Sequence, residues 1–329
     1  MKRSVERFAL ALGLATALAA CADELDEATG VDEEGQAVTA SAIKYVFVIP
    51  MENHDAAQIY GNRADAPYIN DVLLARYARG TLRDQLPSLV SEPHYVWMEA
   101  GTNAFADHTF TSDAAPGGFF NNSTRSPDHL VTQIKNATNG ASWRSYQEGI
   151  NSATGACPIA KSGFYAPKHN PFVFFQDVSG NPPSKSNAYC AAHHKDLSKL
   201  ADDLASGSLA AYNFLTPNQC HDMHGQFGCS DSNTIRAGDA WLKSFLPPLI
   251  DFVNGHAGVI FLVWDEGDAT TTMPFIAIGP GVKRGYASTV AYDHSSLVKS
   301  IERILELPIL PKVQAANDLA DLFQPGMFP

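Results

Sequence analysis

The chain has 329 residues, 45% hydrophobic and 18% charged, a composition that suits a large globular core and excludes a fibrous or wholly disordered protein. Its formal charge is −12, with acids crowded between Asp23 and Glu34, which argues against recognition of nucleic acid through a basic surface. An acidic chain can still take an anionic substrate where a bound cation dominates the local field.

The chain opens with a basic start (Lys2, Arg3, Arg7), an apolar run from Phe8 to Leu18 and small residues before Cys21. That layout is a secretory signal peptide over 1–20, too short and wrongly flanked for a stable membrane span. Leu18-Ala19-Ala20-Cys21 has the form of a bacterial lipobox, which would make Cys21 a lipidated membrane anchor. The expected location is an outer-membrane or cell-surface lipoprotein, or a periplasmic or secreted protein if Cys21 is left unmodified. Residues 21–41 are acidic and poor in large apolar side chains, as in a disordered tether, so one folded domain is expected over 42–329. The remaining cysteines, Cys157, Cys190, Cys220 and Cys229, are even in number in an exported chain, which favours two disulfides. We expect Cys157 with Cys190 and Cys220 with Cys229, one of three possible pairings. A zinc site is disfavoured because no spacing is CxxC.

Lys44 to Ile49 is a β-branched and aromatic run without polar alternation, expected to stop at Pro50. It reads as a central parallel strand covered on both faces, and it delivers Glu52, Asn53 and His54. Ala66 to Ala78 has helical spacing and makes a crossover helix, the start of a doubly wound fold. A short helix is predicted over 94–99, and 109–124 reads as an irregular loop. A helix over 128–136 and a strand over 142–146 continue the alternation. Residues 151–195, with prolines at 158, 167, 171, 182 and 183, read as a loop-rich, disulfide-stapled cap beside the site. Core packing is the default for its aromatics Phe164, Tyr165, Phe172, Phe174 and Phe175, a pocket wall the alternative. A helix over 196–205 and a strand over 209–215 follow, the strand ending in TPNQCHDMHG. Ile235 to Ile250 is an amphipathic helix that Pro247 and Pro248 should kink or end early. Gly258 to Trp264 is a second buried strand, ending in Asp265-Glu266, and a short strand covers 272–278. Helices over 295–305 and 317–323 close the chain. The fold class is α/β, a doubly wound, mainly parallel sheet flanked by helices.

Three hydrophobic strands thus end in acid, amide and histidine clusters: Glu52-Asn53-His54, Asn218 to His224, and Asp265-Glu266. A fourth cluster, Asp293-His294, opens a helix. In a parallel sheet the strand ends share one edge, so groups about 200 positions apart converge. Carboxylate and imidazole spread over several loops suit a divalent metal, one ion or two. Each cluster alone has a plainer structural reading. Asp265-Glu266 would serve as a solvated turn, His294 as a helix start, His221 and His224 as neighbours of a disulfide, and His193 and His194 as exposed or capping residues. Repetition at successive strand ends weighs against those readings. The absence of GxSxG, Walker, GxGxxG and HExxH patterns argues against a serine esterase, a nucleotide-driven enzyme and a zincin.

The segments IPMENH, SEPHY, SWRSYQEG, HNPF, TPNQCHDMH, VWDEGD, and IGPGV with YDHSSLVKSIERILELP run in order from Tyr45 to Phe323. Their order and spacing resemble the bacterial and fungal phosphoesterase family that contains phospholipase C-type and acid phosphatase enzymes, within the alkaline-phosphatase-like superfamily. The resemblance implies metal binding by Glu52, Asn53, Asp265 and Glu266, with Asp222 as a further ligand. It implies Ser91 as nucleophile, two positions before Pro93, although His94 stands where asparagine is commoner; Ser88, Thr109, Thr111 and Ser123 stay open as alternatives. Asn218, His221, Asp222 and His224 are implied as second-site ligands or phosphate contacts, and His94 is taken as a substrate contact; His169 with Asn170 reads as a substrate contact or as a structural part of the Pro-rich cap. Attack by Ser91 on phosphorus would give a phosphoseryl intermediate, released by water that a metal, His224 or His294 activates. The implied substrate is a small-molecule or lipid phosphate ester, cleaved by an acid phosphatase-like phosphomonoesterase or by a phospholipase C-like phosphodiesterase. A sulfatase is disfavoured because Ser91-Glu92-Pro93-His94-Tyr95 lacks the arginine of an SxPxR context. A non-catalytic surface lipoprotein is disfavoured by the joint presence of the four acid and amide ligands. His54 is left out of the site.

Overall fold

Two apolar runs set the sheet. Tyr45–Met51 (β1) and Gly258–Trp264 (the sixth strand, β6) are buried along their whole length, apart from Tyr45. Strands with no polar face can only sit in the middle of a sheet with both faces covered. A computed structural model describes residues 30–31, 37–38, 43–117, 121–150, 155–268 and 272–329. The expected signal peptide, the Cys21 anchor and most of the 21–41 tether lie outside the described residues. In that stretch Gly30–Val31 pairs antiparallel with Ala37–Val38.

The other strands are Ala78–Arg83 (β2), Trp143–Gln147 (β3), His194–Asp196 (β4), Tyr212–Thr216 (β5) and Thr272–Ile278 (β7). The seven-stranded sheet has the order β2-β7-β6-β1-β5-β3-β4. From β6 to β4 every pairing is parallel, and only the β6–β7 and β7–β2 pairings are antiparallel. The mainly parallel, doubly wound α/β architecture expected from the sequence is therefore present. Its helices include Ser91–Ala100 (α1), Leu130–Asn136 (α2), Thr234–Gly255 (α3) and His294–Ile304 (α4). Among the described residues no helix is long and apolar enough to cross a membrane.

Several expectations need correction. β1 does not stop at Pro50 but runs one residue further, where the Met51 carbonyl accepts the Asp265 N–H at 3.0 Å; that bond needs no donor from the proline. The crossover helix predicted over 66–78 is helical over 67–76, with a π-helical turn at Ile69–Leu73, and it ends early where Ala78 begins β2. β2 buries Ala78, Gly80 and Leu82 on one face while Thr81 and Arg83 are exposed, the alternation of an edge strand. Helix α3 does not end early but continues through Pro247 and Pro248 to Gly255. Both prolines and residues 243 and 244, whose carbonyls they leave unbonded, are exposed, so those carbonyls are open to solvent. On the opposite face Leu242, Leu246, Leu249, Ile250 and Val253 stay buried against the core. Of the helix expected over 317–323 only the 3-10 turn Ala320–Leu322 forms.

The cap is more regular than its prolines suggest. It contains the 3-10 turns Pro167–His169 and Pro171–Phe174 and the short helices Gln176–Ser179 and Ala188–His193. Phe172, Phe174 and Phe175 are fully buried and belong to the core, whereas Phe164 is partly exposed. The disulfides Cys157–Cys190 and Cys220–Cys229 both form, in the expected pairing.

Candidate active site

β1 and β6 run in register to Met51 opposite Trp264, so Glu52 and Asp265 leave adjacent strands side by side. The backbone N–H of Asn53 donates to Asp265 Oδ1 at 3.2 Å. Asn53 has φ +37, in the left-handed region that asparagine tolerates better than most residues, and this turn swings the chain off the sheet edge. The Glu52 N–H donates to the Asp222 carbonyl at 2.7 Å, which ties in the loop after β5. That loop closes on itself: Asn218 Oδ1 accepts the Cys220 N–H at 2.9 Å, and Glu148, just past β3, accepts the Asn218 N–H at 2.9 Å and contacts His221 Nδ1. Helix α3 presses on the same loop at Gly238, where a Cβ would stand 2.3 Å from Met223 Cγ.

Ser91 opens α1 against these acids. Its hydroxyl lies 3.2 Å from Glu52 Oε2 and 3.1 Å from Glu266 Oε1, so its one proton can go to either. One helical turn on, Tyr95 donates its hydroxyl to Glu52 Oε1 at 2.5 Å and stacks its ring on His169 at 5.0 Å. His169 stands between two carboxylates, with Nε2 3.2 Å from Glu52 Oε1 and Nδ1 3.3 Å from Asp222 Oδ2. Ligand atoms of Glu52, His169 and Asp222 all lie within 4.8 Å of one another.

Glu52, Asp222 and Asp265 are fully buried and Glu266 nearly so. Burial pushes the carboxyls of Glu52 and Glu266 up to about 7, against the opposing pull of Lys168 on the first and His94 on the second. Asp222 and Asp265 are held well above the usual range by burial and by the charge of Glu52. Burial also keeps His169 neutral, well below its ordinary value, with the charge of Lys168 adding to the effect. His224 is lowered by burial as well. Its Nδ1 donates to the Gly225 carbonyl at 2.6 Å, which leaves Nε2 as a lone pair, and its ring lies 5.9 Å from that of His169. His294 is lowered to about 4 by burial and donates Nε2–H to the Trp264 carbonyl at 3.0 Å, one residue before Asp265.

Asn53 Oδ1, Asp222 Oδ2, Asp265 Oδ2, His169 Nε2 and His294 Nδ1 are all buried without a hydrogen-bond partner. A buried polar atom left unpaired costs about 1–3 kcal/mol, so five of them beside four crowded carboxylates make a site that a bound cation would relieve. The donor set is oxygen with imidazole, the chemistry of a hard or borderline divalent ion. These residues therefore fit the metal expected from the sequence.

His94 sits behind this cluster. Its Nε2 is 3.0 Å from Asp84 Oδ1, its Nδ1 donates to the Val90 carbonyl at 2.8 Å, and Glu266 lies 3.9 Å away. Burial works against its charge, but the bond to Asp84 and the charges of Asp84 and Glu266 together outweigh it and raise the imidazole above its ordinary value. His54 bonds Thr234 Oγ1 at 3.2 Å instead of the acids. The sequence reading missed Tyr95, Lys168, Asp84 and Asp113. Tyr95 had a signal, its i+4 spacing from Ser91 on a helix; Asp84 and Asp113 had none.

A family model described as the Phosphoesterase family matches residues 90–308. The chain is 27% identical over 301 residues to a phosphatidylinositol-3-phosphatase of Mycobacterium tuberculosis, covering 89% of this chain and 87% of that protein. It is 27% identical over 300 residues to a probable acid phosphatase of Kluyveromyces lactis, covering 86% of this chain and 63% of that protein. A phosphate-repressible acid phosphatase of Penicillium chrysogenum is 30% identical over 193 residues, covering 55% of this chain and 43% of that protein. The chain thus spans only part of the length of these fungal proteins. Among solved structures, murine ectonucleotide pyrophosphatase/phosphodiesterase 5 superposes with a TM-score of 0.54 at 10% identity, covering 85% of this chain and 100% of that one. A protein of the alkaline phosphatase superfamily from Vibrio parahaemolyticus gives 0.50 at 12% identity, covering 85% and 70%. At such identities these two share the fold.

Proposed function

The chain belongs to the Phosphoesterase family and is a phosphoric ester hydrolase, and on that premise we propose that it cleaves phosphate monoesters through Ser91 with the help of a divalent metal. The observation that carries the reading is the Ser91 hydroxyl held between Glu52 and Glu266 beside buried, unpartnered ligand atoms. Glu52, Asn53, Asp265 and Glu266 would hold the metal, with Asp222 and His169 next to them. Once bound, the metal supplies charge neutralisation for the phosphoryl oxygens and acidifies the serine hydroxyl. Ser91 Oγ attacks phosphorus, the ester P–O bond breaks, the alcohol departs with a proton taken from solvent, and the phosphoryl group is left on the serine. The hydroxyl proton passes to the glutamate that accepts its hydrogen bond. His224, neutral and with Nε2 as a lone pair, takes a proton from the water that releases phosphate; His294 is the alternative base. Asn218 acts through the loop it closes, and His94 through its bond to Asp84 and its closeness to Glu266.

The purified protein is expected to hydrolyse p-nitrophenyl phosphate and to lose that activity to a chelator. Ser91→Ala should abolish turnover while metal content stays near that of the parent, and full activity in that variant would overturn the assignment. Parallel assays on bis-p-nitrophenyl phosphate and phosphatidylcholine separate this reading from a phospholipase C-like diesterase. The tuberculosis relative, named for a phosphoinositide, makes a lipid monoester a substrate worth including. The two disulfides fit an exported protein. We infer a lipid anchor on Cys21 from the lipobox alone, and loss of fatty-acid labelling in Cys21→Ser tests it.

A further inference from the structure

Beside the nucleophile stands a cation to which the reaction above gives no task. Lys168 lies in the 3-10 turn Pro167–His169 with its side chain 18% exposed, and its ammonium is 3.4 Å from Ser91 Oγ. Asp113 Oδ2 accepts from the ammonium at 2.8 Å, while Asp113 Oδ1 accepts the backbone N–H of Glu92 at 3.1 Å. Glu92 follows Ser91 directly, is fully buried, and ties down the same segment: its carboxylate accepts the Ala114 N–H at 2.8 Å and Asn122 Nδ2 at 2.7 Å. The ammonium is thus locked, through one carboxylate, to the peptide group next to the nucleophile. A lysine is a flexible side chain that solvent normally claims. Holding it at one point beside the buried acids Glu52 and Asp222 has a use if an anion must enter there.

We propose that Lys168, positioned by Asp113, grips a nonbridging oxygen of the phosphoryl group under attack and thereby selects phosphate monoesters over diesters. The inference rests on Ser91 as the nucleophile. With phosphorus in front of Ser91 Oγ, an ammonium 3.4 Å from that oxygen is within hydrogen-bond reach of an oxygen around phosphorus. A monoester shares its negative charge among three such oxygens. A diester has two and carries an uncharged alkoxy group in place of the third, which offers an ammonium little.

Lys168→Met, Lys168→Arg and Asp113→Asn separate this role from a structural one. With metal supplied, Lys168→Met should lower kcat/KM for p-nitrophenyl phosphate by about 100-fold or more, the scale of losing one donor to developing charge. On bis-p-nitrophenyl phosphate the same variant should lose less than about tenfold. Lys168→Arg should recover part of the monoester rate, and Asp113→Asn should fall between. Inorganic phosphate, titrated by calorimetry, should bind Lys168→Met more weakly than the parent. Equal losses on both esters, or unchanged phosphate affinity, would overturn the proposal. If the parent turned over neither ester, the hydrolytic role of Ser91 would fail separately, and the phosphate titration would still decide for or against Lys168.

Discussion

Removing divalent metal should make the protein less stable as pH rises, and returning the metal should reverse the trend. Glu52 is fully buried, and its carboxyl moves from 4.5 to about 7 on folding. A group whose folded pKa lies above its unfolded value binds more protons in the native state, so the native state is favoured at low pH. The cost of ionising Glu52 is absent below about 4.5, grows through the interval and is complete above about 7. At about 1.4 kcal/mol per pK unit it comes to about 3 kcal/mol, a sizeable part of the roughly 5–15 kcal/mol that keeps a domain folded. Burial raises Glu266 in the same direction, so the figure for Glu52 alone is a lower bound. His129, raised to about 9 by its bonds to Asp177 and Glu99 against the cost of its burial, adds a loss above its unfolded value that metal does not touch. The assay is urea unfolding of the chelated and metal-loaded protein at pH 5 and pH 8. The chelated protein should be weaker at pH 8 by about 3 kcal/mol, and metal should stabilise it more at pH 8 than at pH 5. Chelated protein equally stable at both pH values, or metal acting more strongly at pH 5, would refute the account of the cluster.

Tyr95→Phe keeps the ring on His169 but removes the donor to Glu52 Oε1. Metal affinity should fall about 10- to 100-fold with the fold intact, as read by metal titration and circular dichroism. Gly238→Ala drives a methyl into Met223 on the loop that carries Asp222. It should cost about 1–3 kcal/mol in urea unfolding and lower kcat, and unchanged values in both would show that helix α3 does not brace this loop.

The strands that build the site were legible because they are buried on both faces. VFVI and VIFLVW show no alternation, and that uniformity is the mark of a central parallel strand. Parallel strands share an edge, so the grouping of Glu52, Asp222, Asp265 and Glu266 followed from the sequence as well. β2 was hidden because its exposed positions are arginine and threonine and its buried ones include a glycine, so the alternation of ARGTLR is faint. The passage of α3 through two prolines depended on which face they occupied, something the amphipathic pattern contains but a rule about prolines overrides. Lys168, Asp113 and Glu92 meet across irregular segments 55 and 21 positions apart, and no periodicity links such residues.

The pairing of β1 with β6 has a cost that its acids help to meet. A strand that is apolar on both faces loses little by slipping one residue, since whichever side chains turn over remain oily. Such a slip would carry Asp265 about 3.3 Å along the sheet and aim it at the other face. The bonds from Asn53 N–H to Asp265 and from Glu52 N–H to the Asp222 carbonyl sit at the ends of the oily runs, where alignment is otherwise undetermined. The carboxylate of Asp265 thus also acts as an alignment key. A substitution there threatens the frame of the sheet along with the chemistry.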